Sequence, residues 1–219
     1  MTMYQIAILG SGAVGETLAN GFLKKGYSVI RASRNPEKLA EWKNKAGEKA
    51  AIGTFNEAAQ KGEKIVLAVK GSAAKNALRL AGLENLKNKL IMDATNPISD
   101  KPPVNGVLDF FTNLQESLME ILQKQAPEAH FVKVFSCVGN AWMVDPDFGG
   151  QKPTMFICGN NEEAKAQVKV ILDQFGWEVA DMGSVEAARA IEPLCILWCI
   201  PGFKDNQWSH AFKLLKQSK

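Results

Sequence analysis

The sequence predicts an α/β protein with a doubly wound, mainly parallel sheet. Short apolar runs alternate with longer segments of helical period, a glycine-rich turn follows the first run, and later runs are apolar on nearly every residue. Alternation of strand and helix is typical of a parallel sheet, and near-continuous apolar runs indicate strands that helices cover on both faces. With 219 residues, 46% of them hydrophobic, the chain is long enough for one large core.

The first half of the chain supplies the elements of this sheet in order. Helices are expected near residues 13–25 and 36–48. The strand candidates are YQIAIL, YSVIRA, AAIGT, KIVLAV, KLIMDAT and FVKVF. They alternate with helical segments as in successive βαβ units.

After Phe135 the pattern changes to a loop, CVGNAWMVDPDFGGQK, and then to a further β-α-β unit. Its parts are TMFICG, a helix near 161–175 and WEVADMG, and two helical stretches separated by Pro201 and Gly202 follow between 184 and 216. Without a linker or repeat, we expect these pieces to extend the first sheet. The prediction is a single domain over 1–219, with a core at 1–135 and a C-terminal β-α-β and helical extension at 136–219.

Composition and charge exclude several functions. The net charge of +3 comes without a block of lysine or arginine, so no nucleic-acid partner is expected. The start MTMYQIAILG lacks the pattern of a signal peptide, and AIEPLCILWCIPGF is too short and too interrupted to span a bilayer. The four cysteines and two histidines lack the spacing of a metal site and indicate reduced thiols. We therefore expect a cytoplasmic protein without a metal.

A glycine-rich turn between the first strand and the first helix carries the clearest motif. Gly10, Gly12 and Gly15 form G-x-G-x-x-G in the context that Rossmann dinucleotide-binding units require. The glycines allow a tight turn, a close approach of the backbone to a diphosphate and close packing of helix on strand, while the helix start offers free N–H groups. The predicted diphosphate contacts are Gly10, Ser11, Gly12, Ala13, Val14 and Gly15.

The end of the second strand decides between two dinucleotides. An NAD enzyme usually carries an acidic residue there, yet no carboxylate occurs between Glu16 and Glu37. Instead Ser33, Arg34 and Lys38 can bind the additional phosphate of NADP. Arg31 could join them, although strand alternation leaves its direction open. The sequence therefore predicts NADP as the cofactor.

With these residues in place, the chain resembles the NADP oxidoreductases typified by the reductases that use the deazaflavin coenzyme F420. The reductase domain of certain membrane ferric reductases shares their fold. The matching segments cover nearly the whole chain in order: GSGAVG, SRNPEK, IVLAVK, DATNP, KVFS and VEAARAIEPLCILW.

This resemblance implies further cofactor contacts. The loop at Val69 and Lys70 is expected to pass beside the cofactor, and the segment Ala94, Thr95, Asn96 and Pro97 to flank the nicotinamide ribose. Ser136 departs from the asparagine that is common in the family, which concerns the acceptor pocket more than the NADP site.

The resemblance also implies hydride transfer between NADPH and a flavin-like or deazaflavin acceptor on the side formed by 136–219. Such a step needs no catalytic side chain, and neither His130 nor His210 is expected to be one. Trp142 and Met143 are candidates for an apolar wall beside the acceptor ring. A homodimer is implied, and Trp198, Phe203 and Trp208 could cover the partner subunit.

Two alternatives stay open. A carbonyl or hydroxyacid dehydrogenase would need a proton donor. In the segment where related hydroxyacid enzymes carry lysine and asparagine, this chain has Arg189 and Glu192, which could pair with each other. A non-catalytic sensor of the NADP redox state would need only the cofactor site.

Overall fold

The computed structural model describes residues 2–217 and contains one six-stranded parallel sheet. Its strands are β1 (Tyr4–Leu9), β2 (Val29–Ala32), β3 (Ala50–Gly53), β4 (Gly62–Leu67), β5 (Leu90–Asp93) and β6 (His130–Lys133). They lie in the order β3-β2-β1-β4-β5-β6. Successive strands are therefore added toward one edge of the sheet from β1 to β3 and toward the other edge from β4 to β6. The switch point lies between β1 and β4, where open α/β sheets bind their ligands.

Helices follow the strands and cover both faces of the sheet. They are α1 (Ala13–Lys24), α2 (Ala40–Ala46), α3 (Phe55–Lys61), α4 (Gly71–Ala81), α5 (Leu118–Gln125), α6 (Glu162–Gln174), α7 (Ala188–Ile191) and α8 (Leu194–Asp205). Strand alternation builds the two core layers: Ile6 and Ile8 of β1 pack into one layer, and Ala7 and Leu9 pack into the other. The predicted doubly wound fold is confirmed. None of the helices within residues 2–217 has both the length and the apolar character needed to cross a bilayer.

The C-terminal β-α-β unit is present, but its strands form their own sheet. Parallel strands β7 (Thr154–Ile157) and β8 (Glu178–Asp181) flank α6. They join the large sheet through an antiparallel bridge between Lys133 and Cys158. A bend at Phe135, whose φ is 61°, follows β6 and lies between the two sheets along the chain. The expectation that this unit extends the first sheet therefore holds only at the bridge.

The end of the chain differs from the sequence prediction. Helix α8 continues through Pro201 instead of breaking there and ends at Asn206, whose φ is 54°. Pro201 lies in the last turns of α8, where few hydrogen bonds remain to be lost. The segment 206–217 is irregular, so His210 does not lie in a helix. This segment returns to β7, where Phe212 O accepts a hydrogen bond of 2.8 Å from the N–H of Thr154.

A buried ion cluster joins the two halves of the fold. Lys133 Nζ lies 2.7 Å from Asp93 Oδ2 and 2.8 Å from Glu192 Oε1, and all three side chains are at least 98% buried. Burial alone would lower the pKa of Lys133, but the charges of Asp93 and Glu192 outweigh it and raise that pKa. Glu192 also accepts hydrogen bonds of 3.0 Å from the N–H groups of Leu118 and Met119 at the start of α5. The cluster thus connects β5, β6, α5 and the turn between α7 and α8.

We expect Lys133→Met to lower the free energy of unfolding by about 3 to 5 kcal/mol, because it leaves two carboxylates buried without their cation. Lys45→Met is the matched control, because Lys45 forms an exposed pair with Glu41 and such surface pairs contribute little to stability. Urea unfolding monitored by circular dichroism measures both. A loss below about 1 kcal/mol for Lys133→Met would contradict this account of the cluster.

Candidate functional site

The glycine-rich loop between β1 and α1 has the geometry that its spacing predicts. A Cβ atom at Gly10 would lie 2.1 Å from Ala68 O, and one at Gly15 would lie 2.5 Å from Gly10 O. Both positions therefore need glycine for close packing. A Cβ at Gly12 would meet no atom within 4 Å, so this position opens onto free space. That space is where the predicted diphosphate would approach the backbone.

The start of α1 offers several hydrogen-bond donors. No side chain caps the helix, and its first internal hydrogen bond runs from the N–H of Glu16 to Gly12 O. Within residues 2–217, the N–H groups of Ala13, Val14 and Gly15 have no hydrogen-bond partner. Free N–H groups at the positive end of a helix dipole bind anions such as a diphosphate.

A cleft of about 290 Å³ brings together most of the predicted cofactor residues. The predicted residues that line it are Ser11, Gly12, Ser33, Arg34, Lys38, Val69 and Lys70. Arg34 and Lys38 are exposed, and neither side chain forms an ion pair or hydrogen bond with another part of the described chain. Lys70 is an exposed partner of Asp100. The open Gly12, the free N–H groups and the two unpaired cations fit NADP.

Arg31 lies elsewhere, since its side chain is only 1% exposed. Its guanidinium donates to the carbonyl oxygens of Ser11 at 2.9 Å and Gly12 at 3.1 Å and lies 3.0 Å from the Glu16 carboxylate. Burial lowers the pKa of Arg31, and the hydrogen bond and charge of Glu16 act in the opposite direction. The Arg31 side chain is therefore directed toward the glycine-rich loop, whereas Arg34 is exposed.

The segment predicted to flank the nicotinamide follows β5. Asn96 Nδ2 donates a hydrogen bond of 2.7 Å to Ser136 O, which follows β6. Asn96 Oδ1 and Ser136 Oγ are buried and lack a partner among the described residues. Thr95 is buried and donates its hydroxyl to Asp93 Oδ1 at 2.6 Å, while its N–H donates to the same oxygen and its carbonyl accepts a hydrogen bond from Lys133. Beside these residues lie the half-buried Ala94 and the buried Pro97.

Other expected roles change in the structure. Met143 is 98% buried in the core and cannot form a wall beside an acceptor ring. Trp142 is half-buried and packs on Phe148, with ring centroids 5.0 Å apart. His210 stacks on Trp198 at 4.9 Å and contacts its carbonyl oxygen at 2.9 Å.

Arg189 and Glu192 do not pair with each other. Arg189 binds Glu120, with Nε 3.0 Å from Glu120 Oε2, and this hydrogen bond is the main cause that lowers the pKa of Glu120 to about 2. Glu192 instead contacts Lys133. The predicted pair is wrong because residues three apart in a short helical turn can both meet partners on neighbouring elements.

Sequence reasoning missed the ion cluster, although a signal for it exists. Asp93 and Lys133 are the charged residues that end two otherwise apolar strands, and the structure places them opposite each other in register. A charge in a buried strand is costly unless it has a partner. Two opposite charges at the ends of successive apolar strands therefore indicate a buried pair.

Comparison with known proteins supports the chemistry of this cleft. Residues 5–97 match the sequence model of the family described as NADP oxidoreductase, coenzyme F420-dependent. The match includes the glycine-rich loop, Ser33, Arg34, Lys38 and the segment 94–97. In these comparisons the chain is similar to NADP-dependent oxidoreductases. The resemblance, the enzyme class and the cofactor that the sequence predicts are thereby confirmed.

Other comparisons extend beyond residues 5–97. A solved structure from Arthrobacter sp. FB24, to which the function of an F420-dependent NADP-reductase has been assigned, is 29% identical to this chain. The two superpose with a TM-score of 0.90 over 97% of this chain and 100% of that one. The rat metalloreductase STEAP3 is 29% identical over 90% of this chain and 38% of its own length. The chain therefore spans little more than a third of the length of the curated relatives it matches. An imine reductase from Aspergillus terreus, 16% identical with a TM-score of 0.67 over 94% of this chain and 64% of that one, shares the fold.

We expect Gly12→Val to fold normally and to lose NADP binding. Gly12 has φ −81° and open space around it, so valine fits the free protein but fills the path of the diphosphate. Calorimetric titration should show at least about a hundredfold weaker affinity, or about 2.7 kcal/mol. Gly15→Val is the contrast, because its side chain would strike Gly10 O and lower the melting temperature. An unchanged affinity in Gly12→Val would refute the loop assignment.

Proposed function

We propose that the protein transfers a hydride between NADPH and a flat, flavin-like acceptor of the deazaflavin type. The observation that carries the proposal is the contrast between the two ends of the cofactor site. Unpaired cations stand at the phosphate end, while Thr95, Asn96 and Ser136, which do not titrate near neutral pH, stand at the strand ends predicted for the nicotinamide. Hydride transfer between two rings needs orientation and exclusion of water, not a proton donor.

Each part of the chain has a defined task under this proposal. The free N–H groups of α1 bind the diphosphate, and Ser33, Arg34 and Lys38 bind the 2′-phosphate. Bound nicotinamide supplies the hydride. The unpartnered oxygens of Asn96 and Ser136 are acceptors suited to the amide group of that ring. They would fix which face of the ring meets the acceptor.

The deazaflavin type of acceptor is supported by the family description and by the Arthrobacter structure, which this chain matches over its full length. Trp142 and Phe148 are the aromatic residues of the 137–152 loop, and their packed rings offer a surface to a flat heterocycle. We place the acceptor on this side, formed by 136–219.

A carbonyl or hydroxyacid dehydrogenase is the second candidate, and the structure offers it little. Lys133 is held between two carboxylates that raise its pKa and is fully buried, so it cannot deliver a proton. His130 begins β6, at the opposite end of the strand from Ser136, and His210 contacts Trp198. A redox sensor without turnover would use the same cleft and differs only in lacking an acceptor.

We further propose a homodimer in the cytoplasm. Large apolar side chains are exposed along the loop before α5 and on α8, among them Val104, Leu114, Leu197 and Phe203. Such residues suit a protein partner. Trp198, one of the residues predicted to cover a partner, is itself buried. The four cysteines are free thiols, as a reducing compartment maintains them.

Arg34→Glu tests the 2′-phosphate site. We expect NADPH affinity to fall by about tenfold to a hundredfold, since one charge-assisted contact is worth about 1.5 to 3 kcal/mol. NADH affinity should stay the same or rise. Lys216→Glu, on the exposed carboxyl-terminal segment, makes the same change of net charge and should affect neither cofactor. Fluorescence titration measures both affinities, and equal binding of NADPH and NADH by the unmodified protein would overturn the assignment.

The chemical step is tested by stopped-flow oxidation of NADPH that carries deuterium at the transferred position. With FMN, FAD or a deazaflavin, we expect a clear isotope effect and a rate that varies little between about pH 6 and 8.5, because no side chain holds a proton. An isotope effect that appears only with small carbonyl compounds would favour the dehydrogenase. Tight binding without any oxidation would favour the sensor.

A further inference from the structure

The carbonyl oxygens of the glycine-rich loop share one donor group. The Arg31 guanidinium lies within hydrogen-bond distance of Gly10 O at 3.4 Å, Ser11 O at 2.9 Å and Gly12 O at 3.1 Å. Three consecutive carbonyls are thus bound by a single side chain from the neighbouring strand. This contact lies at the point where the backbone would meet the diphosphate.

The planar peptide bond explains why such a donor matters. The N–H and C=O of one peptide unit point in opposite directions, so a loop that turns its N–H groups toward a ligand turns its carbonyls toward the protein. Buried carbonyls need donors. The guanidinium is a rigid fork of five N–H groups and can satisfy several carbonyls at fixed angles, which an ammonium group cannot do equally well.

Arg31 is itself held in place. Its guanidinium carbon lies 5.2 Å from the centre of the Trp42 ring, and Trp42 Nε1 donates a hydrogen bond of 2.8 Å to Asn20 of α1. The ion pair with Glu16 adds a further contact at 3.0 Å. A side chain that is 1% exposed and fixed from three sides keeps its orientation when the cofactor is absent. The loop is therefore shaped before binding.

Arg31 differs in this respect from Arg34 and Lys38. Those two residues line the cleft of about 290 Å³ with unpaired side chains. Arg31 lines an adjoining cavity of about 460 Å³ together with Trp42 and Glu41, and this cavity shares Ser11 and Lys38 with the cleft but does not include Arg34. Because its donors are already engaged with the loop and Glu16, it has little left to offer a 2′-phosphate.

We propose that Arg31 is a positioning residue for the cofactor diphosphate, which NADP and NAD share, and that it takes no part in choosing between them. It acts by orienting the loop, and Arg34 and Lys38 make the choice. This inference rests on the proposed cofactor site. It does not depend on which acceptor receives the hydride.

The test is fluorescence titration of NADPH and NADH against the unmodified protein and the variants R31M, R31K, R34A and E41Q. We expect R31M and R31K to weaken both cofactors by the same factor, tenfold or more, so that the ratio of the two affinities is kept. R34A should weaken only NADPH and reduce the ratio. E41Q changes the same cavity without touching the loop and should leave both affinities within twofold.

Hydrogen exchange of the free proteins supplies a second readout. Peptides that cover residues 8–20 should exchange faster in R31K than in the unmodified protein, while peptides from β5 and β6 should not change. A fall in the NADPH to NADH ratio in R31K would overturn the proposal, because Arg31 would then be a 2′-phosphate ligand. Unchanged affinities, or an R31K variant that does not fold, would also overturn it. If the unmodified protein binds NADPH but none of the tested acceptors oxidises it, the proposed function fails, while the proposed role of Arg31 still stands.

Discussion

The position of the buried Lys133 ammonium group is the constraint on which the rest of the structure depends. A charge in the core must be compensated by nearby partners, and these come from the end of β5, the start of α5 and the turn before α8. Lys133 Nζ also donates a hydrogen bond of 2.8 Å to Thr95 O, in the segment that is predicted to flank the nicotinamide. The C-terminal extension is therefore connected through Glu192 to the cofactor side of the sheet.

A second arrangement of charge distinguishes the two arginines of the second strand and its turn. Arg31 has Val29 as its neighbour on the same strand face, and this face packs against α1, so its side chain points under the glycine-rich loop. Arg34 lies beyond the end of β2 and stays exposed. Arg31 and Arg34 are only three residues apart in sequence, yet Arg31 orients the backbone of the loop while Arg34 is free to bind a ligand.

Much of this could be predicted because local rules suffice for it. Apolar periodicity indicates the strands and helices, and glycine spacing indicates the phosphate loop, since each depends on residues close in sequence. The errors concern contacts between distant segments. Met143 is buried by α6 and its neighbours, Arg189 meets Glu120, and Pro201 stays within a helix whose Gly202 leaves room for the ring of Trp208. Spacing along the chain carries no information about those partners.

The central claim is that Ser33, Arg34 and Lys38 surround the 2′-phosphate of NADP. Phosphorus NMR of the bound cofactor tests it most directly, because the second pKa of a phosphate ester is about 6 and nearby cations lower it. The account predicts that the 2′-phosphate resonance of bound NADP stays at its dianion position down to about pH 5, where the free cofactor has largely shifted. A bound 2′-phosphate that titrates like the free cofactor would contradict the account.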